Sequence, residues 1–243
     1  MAEKHSPLEQ FIIKPLIPLK AGGLDLSFTN SAAFMAIAVV VITLVMIVGM
    51  RRPALVPSRM QSIAELGYLF VANMLRDTVG SEGRRYFPFI FTLFMFVLGG
   101  NMLGMIPYGF TYTSHIIVTF TMAAIIFIGV TLIGLVKHGL RFFAFFLPPG
   151  TPLWMAPLAV VIEIISYFSR PISLSVRLFA NMLAGHSLMK VFAGFIISLG
   201  VFGFVPFLAV FALTGLELLI AFLQAYVFTV LTCLYLNDAL HLH

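Results

Sequence analysis

Five uninterrupted apolar stretches, two of them much longer than a membrane is thick, set the terms on which this chain can fold. The first, 31–50, has twenty residues, which at ~1.5 Å rise per residue matches the ~30 Å hydrocarbon core of a bilayer. Two more cover 87–106 and 116–136, and the last pair covers 152–190 and 206–236. Charged residues make up 9% of the chain, hydrophobic residues 61%, and mean hydropathy is +1.08. A soluble domain does not reach such values, and a backbone in lipid must satisfy its polar groups internally, so an all-α integral membrane protein is expected.

The two terminal stretches, 39 and 31 residues long, would be ~58 and ~46 Å as helices. Neither fits upright, so a strongly inclined or kinked hairpin is predicted, with Ser198 to Gly203 as the turn and Pro157 and Pro171 as interior bends. Residues 60–79 differ from the spans. Ile63, Leu66, Phe70 and Met74 recur at helical spacing, with Glu65, Asn73, Arg76 and Asp77 elsewhere, the pattern of an amphipathic helix lying in the interface. The polar segment 1–30, with Pro7, Pro15 and Pro18, lacks the features of a secretory signal and reads as mature protein, with Gly22-Gly23 as a linker.

The formal charge of +5 and pI near 9.6 do not argue for nucleic acid, because the basic residues sit at the ends of apolar runs, where anionic lipids account for them. Arg51, Arg52, Arg59, Arg76, Arg84 and Arg85 lie between the first two spans. None lies between the second and third, where Tyr108 and Tyr112 suit an interface. The arginine-rich side is therefore expected to be cytoplasmic or matrix, with the N-terminus outside and the C-terminus inside. The single cysteine, Cys233, excludes an internal disulfide. No phosphate loop, metal-ligand spacing or Gly-x-Ser-x-Gly elbow occurs, so neither enzyme chemistry nor a cofactor nor a metal is expected.

Against this apolar background Arg177 stands out. A guanidinium at mid-membrane costs at least ~2.5–3.5 kcal/mol, which makes it a functional-site hypothesis in need of an anionic partner. Arg170, Ser173, Arg177, Asn181 and Ala184 follow one another at three- and four-residue steps, a single polar or small stripe suited to a close partner surface. If the hairpin turns near residues 200–201, facing residues have numbers summing to about 401. Arg177 then meets Gln224, His186 meets Glu217, and Glu163 meets Asp238. Buried polar groups need partners or water, so hydrated routes on either side of Arg177 follow. His186, nine residues beyond Arg177, points to the opposite side of the helix and ~13.5 Å along it.

The motifs Arg170-Pro171-Ile172-Ser173-Leu174, Arg177-Leu178-Phe179-Ala180-Asn181-Met182 and Ala184-Gly185-His186 are supported by Asn101 to Pro107 and by Leu223-Gln224-Ala225. Across essentially its whole length the chain resembles subunit a of the F-type rotary ATP synthase, the stationary half of its proton channel. The resemblance implies that Arg177 stands opposite the carboxylates of the rotating c-ring, with Gln224 beside it and Asn181 one turn on. It implies inner access near Glu163 and an outer path with acid and histidine at Glu217 and His186. Arg170 departs from relatives that carry lysine there.

Asn101, His115, Ser173, Arg170 and Asp238 are further candidate channel-lining residues. The implied partners are the c-ring, the peripheral stalk subunit b, lipid and the transported proton, in a bacterial inner membrane or alternatively a mitochondrial one. A proton-coupled secondary transporter and a non-transporting scaffold subunit are the competing readings. Plainer roles stand beside the functional ones: Asn181 and Gln224 as inter-helix ties, Arg170 paired with Glu163 or a lipid phosphate, and Asp238, His241 and His243 as a solvated tail.

Overall fold

The computed structural model describes residues 11–18, 20–21, 24–25, 27–51, 53–106, 109–147, 152 and 155–241. Gly22-Gly23, Arg52, Pro107, Tyr108 and His243 lie outside the described residues. Six α-helices form nearly all of the described structure: α1 Asn30–Met50, α2 Arg59–Val79, α3 Phe87–Gly104, α4 Ile116–His138, α5 Ala156–Ser198 and α6 Phe204–Leu240. Among the described residues five helical segments are long and apolar enough to cross a membrane, α2 being the helix left out. The chain is an all-α integral membrane protein.

Local chemistry explains where the helices begin and end. Thr29 caps α1, its hydroxyl accepting from the Ala32 amide, and Ser58 caps α2 by accepting from that of Gln61. Before α1 the chain folds back in two small antiparallel pairs, β1 (Pro15–Ile17) with β4 (Phe28–Thr29) and β2 (Lys20–Ala21) with β3 (Leu24–Asp25). Hydropathy carries no trace of these. The side chain of Asn30 pins the arrangement, accepting from Lys14 N and donating to Ile12 O.

α5 has 43 residues and α6 has 37, ~65 and ~56 Å along their axes, each roughly twice the oil thickness. Helix α5 runs on past Lys190 to Ser198, and Gly200, at φ 53°, makes the reversal into α6 that an L side chain resists. Pro157 is a correction: it occupies the first helical turn of α5, where no backbone donor is lost, and Pro171 is the interior proline.

Lipid tails are as apolar as leucine, so packing among these helices depends on close fit rather than on escape from water. Helix α6 presents Ala221, Ala225 and Thr229 at four-residue steps, all fully buried, a small-residue stripe on which neighbours approach closely. Against it and its flank pack Leu174, Leu178 and Met182 of α5, Phe94 and Val97 of α3, and Val71 of α2.

Helix α2 carries two apolar faces, one packed and one exposed. Ile63 and Leu66 are 57% and 67% exposed, while Ala64, Val71, Leu75 and Val79 are buried with Met74. Both faces are apolar, and spacing does not distinguish a face for lipid from one for protein. Tyr112 is corrected too. Instead of reaching toward an interface it is fully buried, and its hydroxyl donates to Phe96 O.

Candidate functional site

Beyond a Thr214 hydroxyl that donates to Met189 Sδ close to the turn, three polar contacts between α5 and α6 among the described residues define the site. Nearest the turn among the three, His186 Nδ1 lies 2.8 Å from Glu217 Oε1, with side chains only 5% and 4% exposed. The carboxylate lies close to the ring nitrogen without an aligned hydrogen bond, and neither of its oxygens has a hydrogen-bond partner among the described residues. Gly185 makes room for it, since a Cβ there would sit 2.8 Å from Glu217 Oε1. On the far edge of the imidazole, Nε2 is 2.9 Å from Thr111 Oγ1. A hydroxyl both donates and accepts, so Thr111 serves the ring in either protonation state.

At the middle level Asn181 Nδ2 donates to Gln224 Oε1 at 2.9 Å. Arg177 does not meet Gln224. Its guanidinium makes one long hydrogen bond, 3.5 Å to Ser173 Oγ one turn back, and it has no carboxylate partner among the described residues. Ser173, Arg177, Asn181 and Ala184 are all exposed, whereas Leu174, Leu178 and Met182 are buried behind them. The stripe thus faces away from the chain's own core.

At the open end Arg170 Nη1 donates to Asp238 Oδ2 at 2.9 Å. Its guanidinium carbon also lies 5.6, 5.4 and 5.1 Å from the ring centroids of Phe145, Tyr167 and Tyr235, an aromatic cage of favourable cation–π geometry. The expected facing of Glu163 with Asp238 is therefore replaced by Arg170 with Asp238, and Glu163 is half-buried with no ion-pair partner among the described residues. Side chains on a helix lean about one residue toward its N-terminus. In an antiparallel pair the two leans add, so touching side chains sum to about two more than facing backbones. The short-range pair His186–Glu217 sums to 403. Asn181–Gln224 sums to 405, and the long guanidinium side chain carries Arg170–Asp238 to 408.

The segment joining α3 to α4 adds residues that the sequence reading passed over. Thr111, Thr113 and Ser114 are buried there. Thr113 Oγ1 donates to Asn101 Oδ1 at 2.8 Å, and Asn101 Nδ2 donates to Ala221 O at 3.0 Å, tying the segment through α3 to α6. The run Thr111-Tyr112-Thr113-Ser114-His115, polar in so apolar a chain, was the available signal. His115 stacks on Phe110 at 5.0 Å between centroids, its Nε2 buried without a partner among the described residues. Burial pushes the His115 imidazole below the ordinary histidine range and the Tyr112 phenol above the ordinary tyrosine range. Among the described residues no group of three or more His, Cys, Asp or Glu is arranged to hold a metal.

Residues 32–237 match the model of the family described as ATP synthase A chain. The chain belongs to that family. It is 59% identical to ATP synthase subunit a of Parvibaculum lavamentivorans over 242 residues, covering 97% of this chain and 93% of the relative. It is 58% identical to ATP synthase subunit a of Paramagnetospirillum magneticum, covering 98% and 99%, and 58% identical to that of Rhodospirillum rubrum, covering 98% and 100%. Family membership makes the chain a component of an ATP synthase complex in a bacterial membrane. In this member of the ATP synthase A chain family, all three motifs between Arg170 and His186 fall on α5, and Leu223-Gln224-Ala225 lies across from them on α6.

Proposed function

We propose that the chain is the stationary, non-catalytic proton-conducting subunit of a rotary ATP synthase. The observation that carries the reading is the outward-facing stripe of α5, on which Arg177 has no carboxylate of its own. The missing anion is a carboxylate on each subunit of a c-ring that turns past this face. The peripheral stalk subunit b holds the chain against that rotation. The N-terminus is outside and the C-terminus on the cytoplasmic side of the bacterial inner membrane.

Protons enter at the turn end, where Thr111, His186 and Glu217 form a buried chain of groups that each accept and pass on a proton. Imidazole and carboxyl groups are the side chains most often used as positioned proton donors and acceptors. Asn101 and Thr113 tie the segment that carries Thr111 to α6, and His115 follows on the same segment as a further candidate for lining the route. A proton delivered from Glu217 neutralises a ring carboxylate, which can then face lipid. After almost a full turn the carboxyl group reaches the open end, where water near Glu163, Arg170 and Asp238 takes the proton away. Asn181 and Gln224 steady the helices on which Arg177 stands.

Arg177 stays charged at physiological pH and divides the two routes. A proton passing about 4 Å from it meets ~4 kcal/mol of repulsion at an effective dielectric near 20, enough to slow leakage by about three powers of ten. Flux is forced through rotation, driven by ~2.3 kcal/mol per charge per 100 mV. Replacing Arg177 with Ala is the test. ATP-driven proton pumping by the assembled complex should vanish while passive proton leak across the membrane rises; normal coupling in this variant would refute the reading.

A further inference from the structure

A groove on the side of the molecule away from the α5 stripe has the dimensions and chemistry of a phospholipid. Its mouth is a cavity of about 560 Å³ lined by Glu82 and Arg85, from the 3-10 turn before α3, and by Lys137 at the end of α4. It continues as a narrower cavity of about 190 Å³ between α3 and α4, floored by Thr232 and Leu236 of α6. Tyr86 and Ile133 line both cavities, so the two adjoin and follow one another along α4. From Lys137 to Ile125 the groove follows α4 for twelve residues, ~18 Å, close to the ~15 Å depth of one leaflet of a ~30 Å core.

The charges lie at one end only. Lys137 forms an ion pair with Glu82 that ties the lead-in of α3 to the end of α4. Arg85 lines the same mouth with no carboxylate within ion-pair distance among the described residues, and His241 adds to the field that Lys137 and Arg85 exert on Glu82. One carboxylate thus stands among two fixed cations and a titratable one, leaving positive charge over at the level of headgroups. Below it the walls are Phe89, Ile90, Ile125, Ile126 and Val130. Gly129 opens the wall further, since a Cβ there would meet nothing within 4 Å.

We propose that this groove is a binding site for one anionic phospholipid, its phosphate held by Arg85 and Lys137 and one acyl chain lying between α3 and α4. A zwitterionic lipid fits the apolar part equally well and carries the same phosphate, but its own ammonium group meets repulsion from the surplus cation and offsets the gain. Selectivity therefore resides in Arg85 and occupancy in the groove.

The experiment uses the intact ATP synthase in phosphatidylcholine vesicles that contain a small fraction of phosphatidylglycerol with a photoactivatable acyl chain. A parallel batch carries the same label on phosphatidylcholine. The anionic probe should label residues 125–133 roughly fivefold more than the neutral one, the ratio given by about 1 kcal/mol for one basic side chain beside a headgroup of net negative charge. Arg85→Gln should bring that ratio close to one, and Arg85→Lys should keep most of it. Gly129→Leu should reduce labelling of residues 125–133 by both probes and leave labelling at Ile117, an exposed lipid-facing position of the same helix, unchanged. Equal labelling by the two lipids in the unmodified complex would overturn the proposal, as would a preference that survives Arg85→Gln or a cross-link from the groove to a helix of another subunit.

Discussion

The turn end and the open end of the α5–α6 hairpin solve the same problem, polar groups in an apolar helix pair, in opposite ways. Near the turn, His186 and Glu217 are almost fully buried and linked through Thr111 to the α3–α4 segment. Near the open end, Arg170 and Asp238 keep 19% and 31% of their side chains exposed, are matched in charge, and rest among aromatic rings. The first arrangement leaves carboxylate oxygens short of donors, as the proposed relay requires. The second is satisfied already. A group that must change its protonation state cannot be too well stabilised in one of them.

Four measurements would break or sharpen that contrast. Glu217→Gln keeps the shape of the turn-end cluster and removes its acid, so pumping should slow by ~10²-fold, as general acid–base groups contribute, without the complex falling apart; a rate within twofold would end the relay. Gly185→Ala should follow, costing ~1–3 kcal/mol of hairpin stability by overpacking against the Glu217 carboxylate, read as a lower midpoint of detergent-induced unfolding. At the other end Asp238→Asn should cost ~1 kcal/mol or less and change pumping less than twofold. A loss as large as that of Glu217→Gln would erase the distinction between the ends.

The smallest effect concerns His115. Burial lowers its folded-state pKa below the ordinary histidine value. The unfolded chain therefore binds more protons over that interval, and stability falls as pH drops from the ordinary histidine range toward the lowered value. His115→Phe preserves stacking on Phe110 and removes the proton. Its unfolding midpoint should equal that of the unmodified chain at neutral pH and exceed it in mild acid; a difference at neutral pH with none in acid would contradict the sign.

The fold class was legible because apolar run length and charge placement are one-dimensional signals. The facing of His186 with Glu217 was legible as well, since a helical hairpin converts numbering into depth and short side chains stay near their own level. Arg170 with Asp238 was missed because reach and lean, which numbering ignores, carry a long guanidinium past the nearer Glu163. Arg177 shares a level with Gln224 but points to the open face, a rotation that the sum of residue numbers does not contain. Thr111 and Thr113 were missed because they lie in a segment with no period, where only their polarity marks them. Which face of α2 packs was not legible, because Ile63 and Leu66 are as apolar as the residues that pack.

Two rods about twice as long as the oil is deep can be accommodated only by reclining or by pushing their ends through the surface. A hydrophobic stretch that outruns the oil is met by tilting, kinking or a local thickening of the film, at fractions of a kcal/mol for each Å of misfit. The span of α5 and α6 therefore couples this subunit to the thickness of its surroundings. Long-chain lipids relieve the misfit and short-chain films aggravate it, so the membrane itself becomes a control on how easily the hairpin keeps its pose.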